Sequence, residues 1–321
     1  MTTRQGIQAP VFDALLPADM AARAEQIGVR KAGMDWLSTF VLAVLAGAFI
    51  AVGAMFATTV TAGSGDMPYG VVRLLAGVVF SLGLILVIVG GAELFTGNTL
   101  IVMAWDDRMV TTGQVLRNWT LVYLGNFVGA IGTVLLVFLG EQYRFGDGAV
   151  GAAALAGAHA KVQLGFVQAI ALGTLCNALV CLAVWLTFSA RTTTDRILAI
   201  LFPITAFVAA GFEHSVANMY FIPIALLIRE AAPPEFWAAI GRSAADYPEL
   251  TWSGFLGRNL LPVTIGNIIG GAVLVGTVYR LVYLRPRAPA PPSTAAQSAE
   301  PAAAAPSPAA LAGSPPAPTA D

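Results

Sequence analysis

Long apolar segments are the feature of this sequence that most restricts its fold. Six such segments lie at residues 34–61, 70–104, 114–139, 163–189, 196–228 and 255–284. An apolar stretch of about 20 residues spans the hydrocarbon core of a bilayer as a helix. The charged fraction of 11% is less than half of the roughly 25% that is typical of a soluble domain. The sequence therefore predicts an all-α integral membrane protein with six transmembrane helices.

The second and fifth segments are too long for one simple span, and each contains polar residues near its middle. There the sequence GAELFTGN (91–98) matches GFEHSVAN (211–218) as Gly-x-Glu-x-x-x-small-Asn. Backbone inside a bilayer must be hydrogen-bonded internally, so an interrupted helix is tolerated only where it is buried or lines a cavity. We expect helices 2 and 5 to be broken at these points. Each break presents the N-terminus of a following half-helix, which favours an anion.

A second match relates the third segment to the sixth. RNWTLVYLGNFVGA, which begins at Arg117, aligns with RNLLPVTIGNIIGG, which begins at Arg258, and five residues recur at one constant offset. The chain is therefore expected to consist of two halves of three spans each. Because three is odd, the second half is inserted upside down relative to the first. Inverted repeats with corresponding broken helices are typical of transport proteins that have a permeation site near the midplane.

The distribution of Lys and Arg predicts the orientation of the chain. With six spans, the termini and the loops after spans two and four lie on one side, which collects eleven of the 17 Lys and Arg residues. An excess of these residues marks the cytoplasmic side, so both termini are expected there. We predict an N-terminal arm with an amphipathic helix (1–32), a channel domain (33–285) and a disordered Ala/Pro-rich tail (286–321).

His214 is the leading functional candidate when the residues are considered alone. Structural residues are expected where the two breaks match, at Glu93, Asn98, Glu213 and Asn218. The two glutamates would accept hydrogen bonds from backbone amides exposed at the breaks, with proton relay as the alternative. His214 has no counterpart in the first half, where Leu94 stands. An ionisable side chain within a membrane segment is a functional candidate by default, although a core histidine bonded to a neighbour is the alternative.

Other kinds of chemistry have little support in the sequence. His159 is the only other histidine, and no spacing of cysteine, histidine and carboxylate residues forms a metal ligand set. Ser215 adjoins His214 but lies in no G-x-S-x-G motif and has no evident oxyanion device. The net charge of −1 provides no basic surface for nucleic acid. We therefore expect no enzymatic activity, no cofactor, no metal and no nucleic-acid partner.

Four motifs together resemble the formate/nitrite transporter family, and within it the bacterial formate channels: GFEHSVANMYFIP, GAELFTGNTLIV, NLLPVTIGNIIGGAVLVG and CNALVCLAVW. The resemblance covers residues 15–285. It implies an aquaporin-like protomer with its own pore, assembled as a homopentamer around a lipid-filled axis in the bacterial cytoplasmic membrane. It also implies a formate channel, with nitrite, hydrosulfide or another small monovalent anion as the alternative. A water or glycerol channel would suit broken helices, but the usual Asn-Pro-Ala motif is absent and His214 would have no role.

The resemblance further implies roles for individual residues. His214 corresponds to a histidine that faces the pore at its centre, Thr96 to a threonine near it, and Lys161 to a lysine at the outer vestibule. The remaining implied positions are two pore asparagines, Asn177 and Asn267, and apolar constrictions at Phe80, Leu84, Leu94, Val180 and Phe207.

These roles predict a proton-linked mechanism. Burying an unpaired anion among Phe and Leu side chains carries a large free-energy cost. Histidine changes its charge near neutral pH, so His214 is expected to donate a proton, directly or through water, and the anion would cross as its neutral acid. Passage of the anion past a neutral, hydrogen-bonding His214 is the alternative.

Overall fold

The computed structural model describes residues 14–285, which form an all-helical fold. The helices are α1 Pro17–Gly33, α2 Trp36–Thr61, α3 Tyr69–Gly90, α4 Phe95–Asn98, α5 Val102–Asp106, α6 Thr112–Leu139, α7 Ala149–Val162, α8 Phe166–Ser189, α9 Thr193–Ala209, α10 Ser215–Ala231, α11 Pro234–Ile240 and α12 Gly254–Tyr283. Short 3-10 turns occupy Thr99–Ile101, Gln142–Arg144 and Ala244–Asp246. The predicted tail, 286–321, and the first 13 residues of the predicted arm lie outside the described residues.

Five of these helices are long and apolar enough to cross a membrane, namely α2, α3, α6, α8 and α12. The number rises to six if α10 and α11, which are bent by 113° relative to each other, form one span. The predicted all-helical architecture is thus confirmed, with five or six candidate spans in the described part of the chain. The expected fifth span, 196–228, is divided between α9 and α10, and each of these has 17 residues.

Both Gly-x-Glu motifs lie between two helices. α3 is followed by Gly91, whose φ of 80° is the left-handed conformation that glycine tolerates best. The chain then extends through Leu94 before α4 begins. α9 is followed in the same way by Gly211, with φ 76°, and by an extended His214 before α10 begins. The polar motifs therefore turn the chain and start a new helix at two corresponding places.

Glycines allow the long helices to approach each other closely. A Cβ atom at Gly129 of α6 would collide with the carbonyl of Val44 in α2. A Cβ atom at Gly270 of α12 would collide with the carbonyl of Thr174 in α8. Small residues at such contacts let helix backbones meet within a membrane. The two glycines stand at matching positions of the sequence repeat, so both halves use the same packing.

Residues 140–162 lie between α6 and α8 and are largely helical. They contain the 14-residue helix α7, whose sequence AVGAAALAGAHAKV is rich in alanine, the strongest helix former. The helix is too short to span a bilayer, and this is why a search for apolar spans overlooks it. His159 and Lys161 consequently lie near the end of a helix. A second short helix, α11, lies between α10 and α12.

The amphipathic helix predicted in the N-terminal arm is α1, and it packs against the rest of the bundle. Its buried face consists of Met20, Ala21, Ala24, Gly28 and Ala32. At the edge of this contact, Glu25 is hydrogen-bonded to Asp107, which in turn forms an ion pair with Arg280 of α12. Burial and the hydrogen bond to Asp107 raise the pKa of Glu25 from 4.5 to about 7.

The docking of α1 is therefore expected to weaken as pH rises. A carboxyl whose pKa is raised in the folded state contributes stability that is complete below pH 4.5 and is lost as pH approaches 7. We expect the α1 amides to exchange hydrogen faster at about pH 8 than at about pH 6, after correction for the intrinsic rate. Glu25→Gln should remove this difference, and Asp19→Asn in the exposed first turn of α1 should leave it unchanged. A pH dependence that persists in Glu25→Gln would refute the assignment.

Candidate functional site

Two cavities enter the helix bundle at opposite ends of α3 and α9. The first, which we name the α1 cavity, has a volume of about 370 Å³ and is lined by α1 and the C-terminal end of α3. The second, the α7 cavity, has a volume of about 300 Å³ and is lined by α7 and the N-terminal half of α3. We name the turn between α3 and α4, at residues 91–94, the first break, and the turn between α9 and α10, at residues 211–214, the second break. The first break borders the α1 cavity, and the second break borders the α7 cavity.

Buried apolar side chains lie between the two cavities. Leu84 and Leu94 line the α1 cavity, whereas Phe80 and Phe207 line the α7 cavity. None of these four side chains is more than 3% exposed. The rings of Phe80 and Phe207 meet edge to face, with 5.5 Å between their centroids. Val180, the fifth predicted constriction residue, is buried as well but lines neither cavity.

His214 lies in the wall of the α7 cavity, with its ring stacked at 5.9 Å on that of Phe207. Its Nδ1 accepts a hydrogen bond from the amide of Ala217 at 3.0 Å and so caps the N-terminus of α10. Its Nε2 lies 3.0 Å from Oγ1 of Thr96. Because Nδ1 is an acceptor, the proton of the neutral ring is on Nε2, which donates to Thr96. The Thr96 hydroxyl proton is then free to point at a third group.

One asparagine holds each break together. In the first half, Oδ1 of Asn126 accepts from the amide of Phe95 at 2.9 Å. Its Nδ2 donates to the carbonyls of Ala43 at 2.7 Å and Glu93 at 2.9 Å. Asn267 makes the same three bonds in the second half, with partners Ser215 (2.9 Å), Gly173 (2.8 Å) and Glu213 (3.0 Å). Asn126 was not predicted as a site residue, although its recurrence as Asn267 in the repeat was the available signal.

Each glutamate at a break is neutralised by a lysine. Oε1 of Glu213 lies 2.7 Å from Nζ of Lys161, and its Oε2 accepts from Nδ2 of Asn218 at 2.7 Å. In the first half, Glu93 has the corresponding partners, Lys31 at 2.7 Å and Asn98 at 2.7 Å. The expectation that the carboxylates accept from break amides is therefore wrong. The amides of Phe95 and Ser215 donate to the asparagines Asn126 and Asn267, and the carboxylates instead compensate half-buried ammonium groups.

Lys31 belongs to this site but was not predicted from the sequence. It lies on α1 and also donates to Oδ1 of Asn98 at 3.0 Å. The order of buried, half-buried and exposed positions is identical in residues 31–50 and 161–180. Each lysine stands five positions before the helix that follows, Lys31 before Trp36 and Lys161 before Phe166. That spacing was the signal in the sequence, but few other residues match around it.

Asn177 connects the two breaks and lines neither cavity. It is fully buried. Its Nδ2 donates to the carbonyls of Thr96 at 3.2 Å and Asn267 at 2.6 Å. Its Oδ1 has no hydrogen-bond partner within residues 14–285. The structure thus places Asn177 and Asn267 behind the walls of the cavities, whereas it brings His214 and Thr96 together beside the buried ring of Phe207.

Residues 14–285 contain no group of three or more His, Cys, Asp or Glu side chains that could hold a metal ion. The polar chemistry available at the site is therefore that of the two braced breaks, the His214–Thr96 pair and the cations that line the cavities.

Comparisons with known proteins identify the family to which this sequence and fold are similar. Residues 18–281 match the family model described as formate/nitrite transporter. The chain is 48% identical over 274 residues to the formate channel FocA of Escherichia coli (strain K12), which covers 85% of this chain and 96% of that protein. It is 41% identical over 267 residues to the formate channel FocA of Haemophilus influenzae, with 83% and 94% covered. Among solved structures, it is similar to a pentameric formate channel with formate bound, with a TM-score of 0.72, 45% identity and coverage of 78% of this chain and 98% of that one.

Proposed function

The chain belongs to the formate/nitrite transporter family, and from this premise we propose that it is a membrane channel for formate. The named relatives are channels, so a transport function in place of an enzymatic one follows from membership. The observation that carries the proposal is the position of His214. Its ring places one N–H donor at the point where the α7 cavity meets the buried side chains of Phe80 and Phe207.

The proposed architecture contains six transmembrane helices in two inverted three-helix repeats, in an aquaporin-like protomer. The second helix would be α3 continued by α4 and α5, and the fifth would be α9 continued by α10. The matching hydrogen bonds of Asn126 and Asn267 support this pairing of the halves. The similarity to a pentameric formate channel supports a homopentamer, with lipid on its central axis.

The proposed orientation places the α1 cavity towards the cytoplasm and the α7 cavity towards the outside of the bacterial cytoplasmic membrane. Both termini would then be cytoplasmic, with the arm at 1–32, the channel domain at 33–285 and the tail at 286–321. The excess of Lys and Arg in the terminal segments and in two of the loops supports this orientation.

The first step of permeation is the attraction of an anion into a cavity. Lys161 and Arg73 line the α7 cavity. Glu213 compensates Lys161 at 2.7 Å, so the net attraction comes from one further positive charge, that of Arg73. Attraction of this kind is weakened by salt on the scale of the Debye length, which is about 8 Å at physiological ionic strength.

The second step takes the anion past His214. The Nε2–H group that donates to Thr96 would donate to the anion instead, and the Thr96 hydroxyl would supply a second donor. Hydrogen bonds to a charged group contribute about 1.5–3 kcal/mol each, which is less than the cost of burying a bare carboxylate. The anion therefore needs to share a proton in the constriction.

The hydrogen bond from Ala217 determines how His214 takes part in this proton sharing. Nδ1 accepts that bond, so an imidazolium forms only if the cap of α10 opens. An N-cap contributes about 0.5–2 kcal/mol, and a buried charge adds to the cost. We therefore propose that the resting ring is neutral and hydrogen-bonds the anion. His214 can bind a second proton, and so link proton transfer to permeation, only when the hydrogen bond from the Ala217 amide to Nδ1 is broken.

Formate uptake into liposomes containing the purified chain tests the proposed function. We expect uptake above that of empty liposomes, with saturation as formate concentration rises, because each protomer has a single constriction. Nitrite should compete only at higher concentration than formate. Uptake no greater than that of empty liposomes would refute the function, and stronger competition by nitrite than by formate itself would favour the nitrite alternative.

A further inference from the structure

The α1 cavity is more positively charged than a monovalent anion requires. Four cationic side chains line it, namely Arg23, Arg30, Lys31 and Arg196. A single carboxylate, Glu93, lines it as well, which leaves an excess of three positive charges. The α7 cavity has two cations and one carboxylate, Arg73, Lys161 and Glu213, which leaves an excess of one. The α1 cavity therefore carries more positive charge than one monovalent anion would neutralise.

The excess resides on arginines that other residues do not compensate. Lys31 is paired with Glu93 at 2.7 Å. Arg23 donates one Nη1–H to the carbonyl of Phe188 at 3.0 Å, and the rest of its guanidinium group remains available. Within the described range, 14–285, Arg30 and Arg196 form no ion pair and no side-chain hydrogen bond. Two complete guanidinium groups and part of a third are thus available to a ligand.

These arginines come from two different helices that line the cavity. Arg23 and Arg30 are seven positions apart on α1, so they lie two turns apart on one face. Arg196 lies in the first turn of α9, where the chain enters the bundle from the neighbouring loop. A guanidinium group has five N–H donors in a planar fork that matches two oxygens of a phosphate. The arrangement suits a compact ligand with several oxygens and more than one negative charge.

We propose that the α1 cavity binds the phosphate group of a divalent anion, with Arg23, Arg30 and Arg196 as donors. The group belongs either to inorganic phosphate in solution or to a lipid head group that is a phosphomonoester, as in phosphatidic acid, since both can carry two negative charges. An occupant of this cavity lies between the solvent and Leu94, so it obstructs the path to the constriction. The obstruction rests on the proposed channel function, whereas the binding does not.

Binding of radiolabelled inorganic phosphate to the full chain in detergent tests the site directly. We expect saturable binding of one phosphate per chain, with potassium chloride at matched ionic strength as the control for screening. Arg30→Gln and Arg196→Gln should each weaken binding at least about tenfold, as expected for the loss of a charged hydrogen-bond donor. Arg242→Gln removes the same charge from an exposed position that lines neither cavity, and it should bind phosphate like the unmodified chain.

Two results of the binding measurement would overturn the inference. One is the absence of saturable phosphate binding, and the other is an equal loss of binding in Arg242→Gln, since that would reflect net charge alone. Repeating the measurement in nanodiscs of phosphatidylcholine with and without phosphatidic acid identifies the source of the phosphate group. Competition by phosphatidic acid supports a lipid head group as the occupant, and unchanged binding supports free phosphate.

Formate flux in liposomes separates this inference from the proposed function. Phosphate should lower the flux of the unmodified chain, and it should have less effect on Arg196→Gln, with each flux expressed relative to its value without phosphate. Formate flux without phosphate binding overturns the inference and leaves the channel function intact. Phosphate binding without formate flux supports the site and refutes the channel function.

Discussion

Replacing His214 by asparagine is expected to remove the pH dependence of formate flux while the fold at the second break is retained. Asparagine does not titrate, and it is among the best N-cap residues. Its side-chain oxygen can therefore accept the amide of Ala217 that Nδ1 of His214 accepts at 3.0 Å. Alanine at the same position does not titrate either, but it has no side-chain oxygen with which to cap α10. The pair of variants thus separates the titration of residue 214 from its structural role.

His214→Ala is expected to lower formate flux roughly tenfold or more, because a hydrogen bond to a charged permeant contributes about 1.5–3 kcal/mol. It should also lower the free energy of unfolding by about 1 kcal/mol through loss of the cap. The measurement is anion flux and proton flux in liposomes between about pH 5 and pH 8, the range in which histidine titrates. If both variants keep the pH dependence of the unmodified chain, His214 is not the proton donor.

Replacing Asn267 by leucine is expected to cost about 3 kcal/mol or more of folding free energy, because three buried groups lose their partner. These groups are the amide of Ser215 and the carbonyls of Gly173 and Glu213. Asn126→Leu should have a cost of similar size, since Asn126 makes the corresponding three bonds in the first half. The thermal midpoint of the purified protein in detergent measures the effect.

Two further substitutions calibrate this prediction. Asn267→Asp keeps the oxygen that accepts the amide of Ser215 but loses both donated bonds and buries a carboxyl group against the carbonyls of Gly173 and Glu213, so its midpoint should also lie well below that of the unmodified chain. Leu274→Ala alters an exposed side chain of the same helix and is expected to change stability by less than about 0.5 kcal/mol. A midpoint for Asn267→Leu that equals that of Leu274→Ala would show that the brace does not stabilise the break.

Local signals in the sequence were enough to locate the two points at which the chain turns between helices. Gly91 and Gly211 adopt positive φ, a conformation for which glycine is the usual residue. The polar residues that follow each glycine interrupt an apolar segment. The difference between His214 and Leu94 was visible because the repeat aligns the two positions. These features can be detected in a single sequence, because they involve residue types at neighbouring or repeated positions.

Contacts between distant residues could not be predicted in the same way. Lys31 pairs with Glu93 from 62 positions away, and no periodic pattern connects them. Asparagine is suited both to lining a pore and to bracing a buried backbone, so the residue type of Asn177 and Asn267 does not distinguish these roles. Only the positions of the surrounding carbonyls and amides decide that both belong to the frame.

The correspondence of Lys31 with Lys161 changes where each half of the molecule begins. The two lysines are 130 positions apart, and each braces the glutamate of its own half. Helix α1 is therefore the first element of the first half, as α7 is of the second, and each supplies the lysine that compensates the glutamate of its own half. The difference between Leu94 and His214 therefore lies within a frame that the two halves build from the same hydrogen bonds and ion pairs.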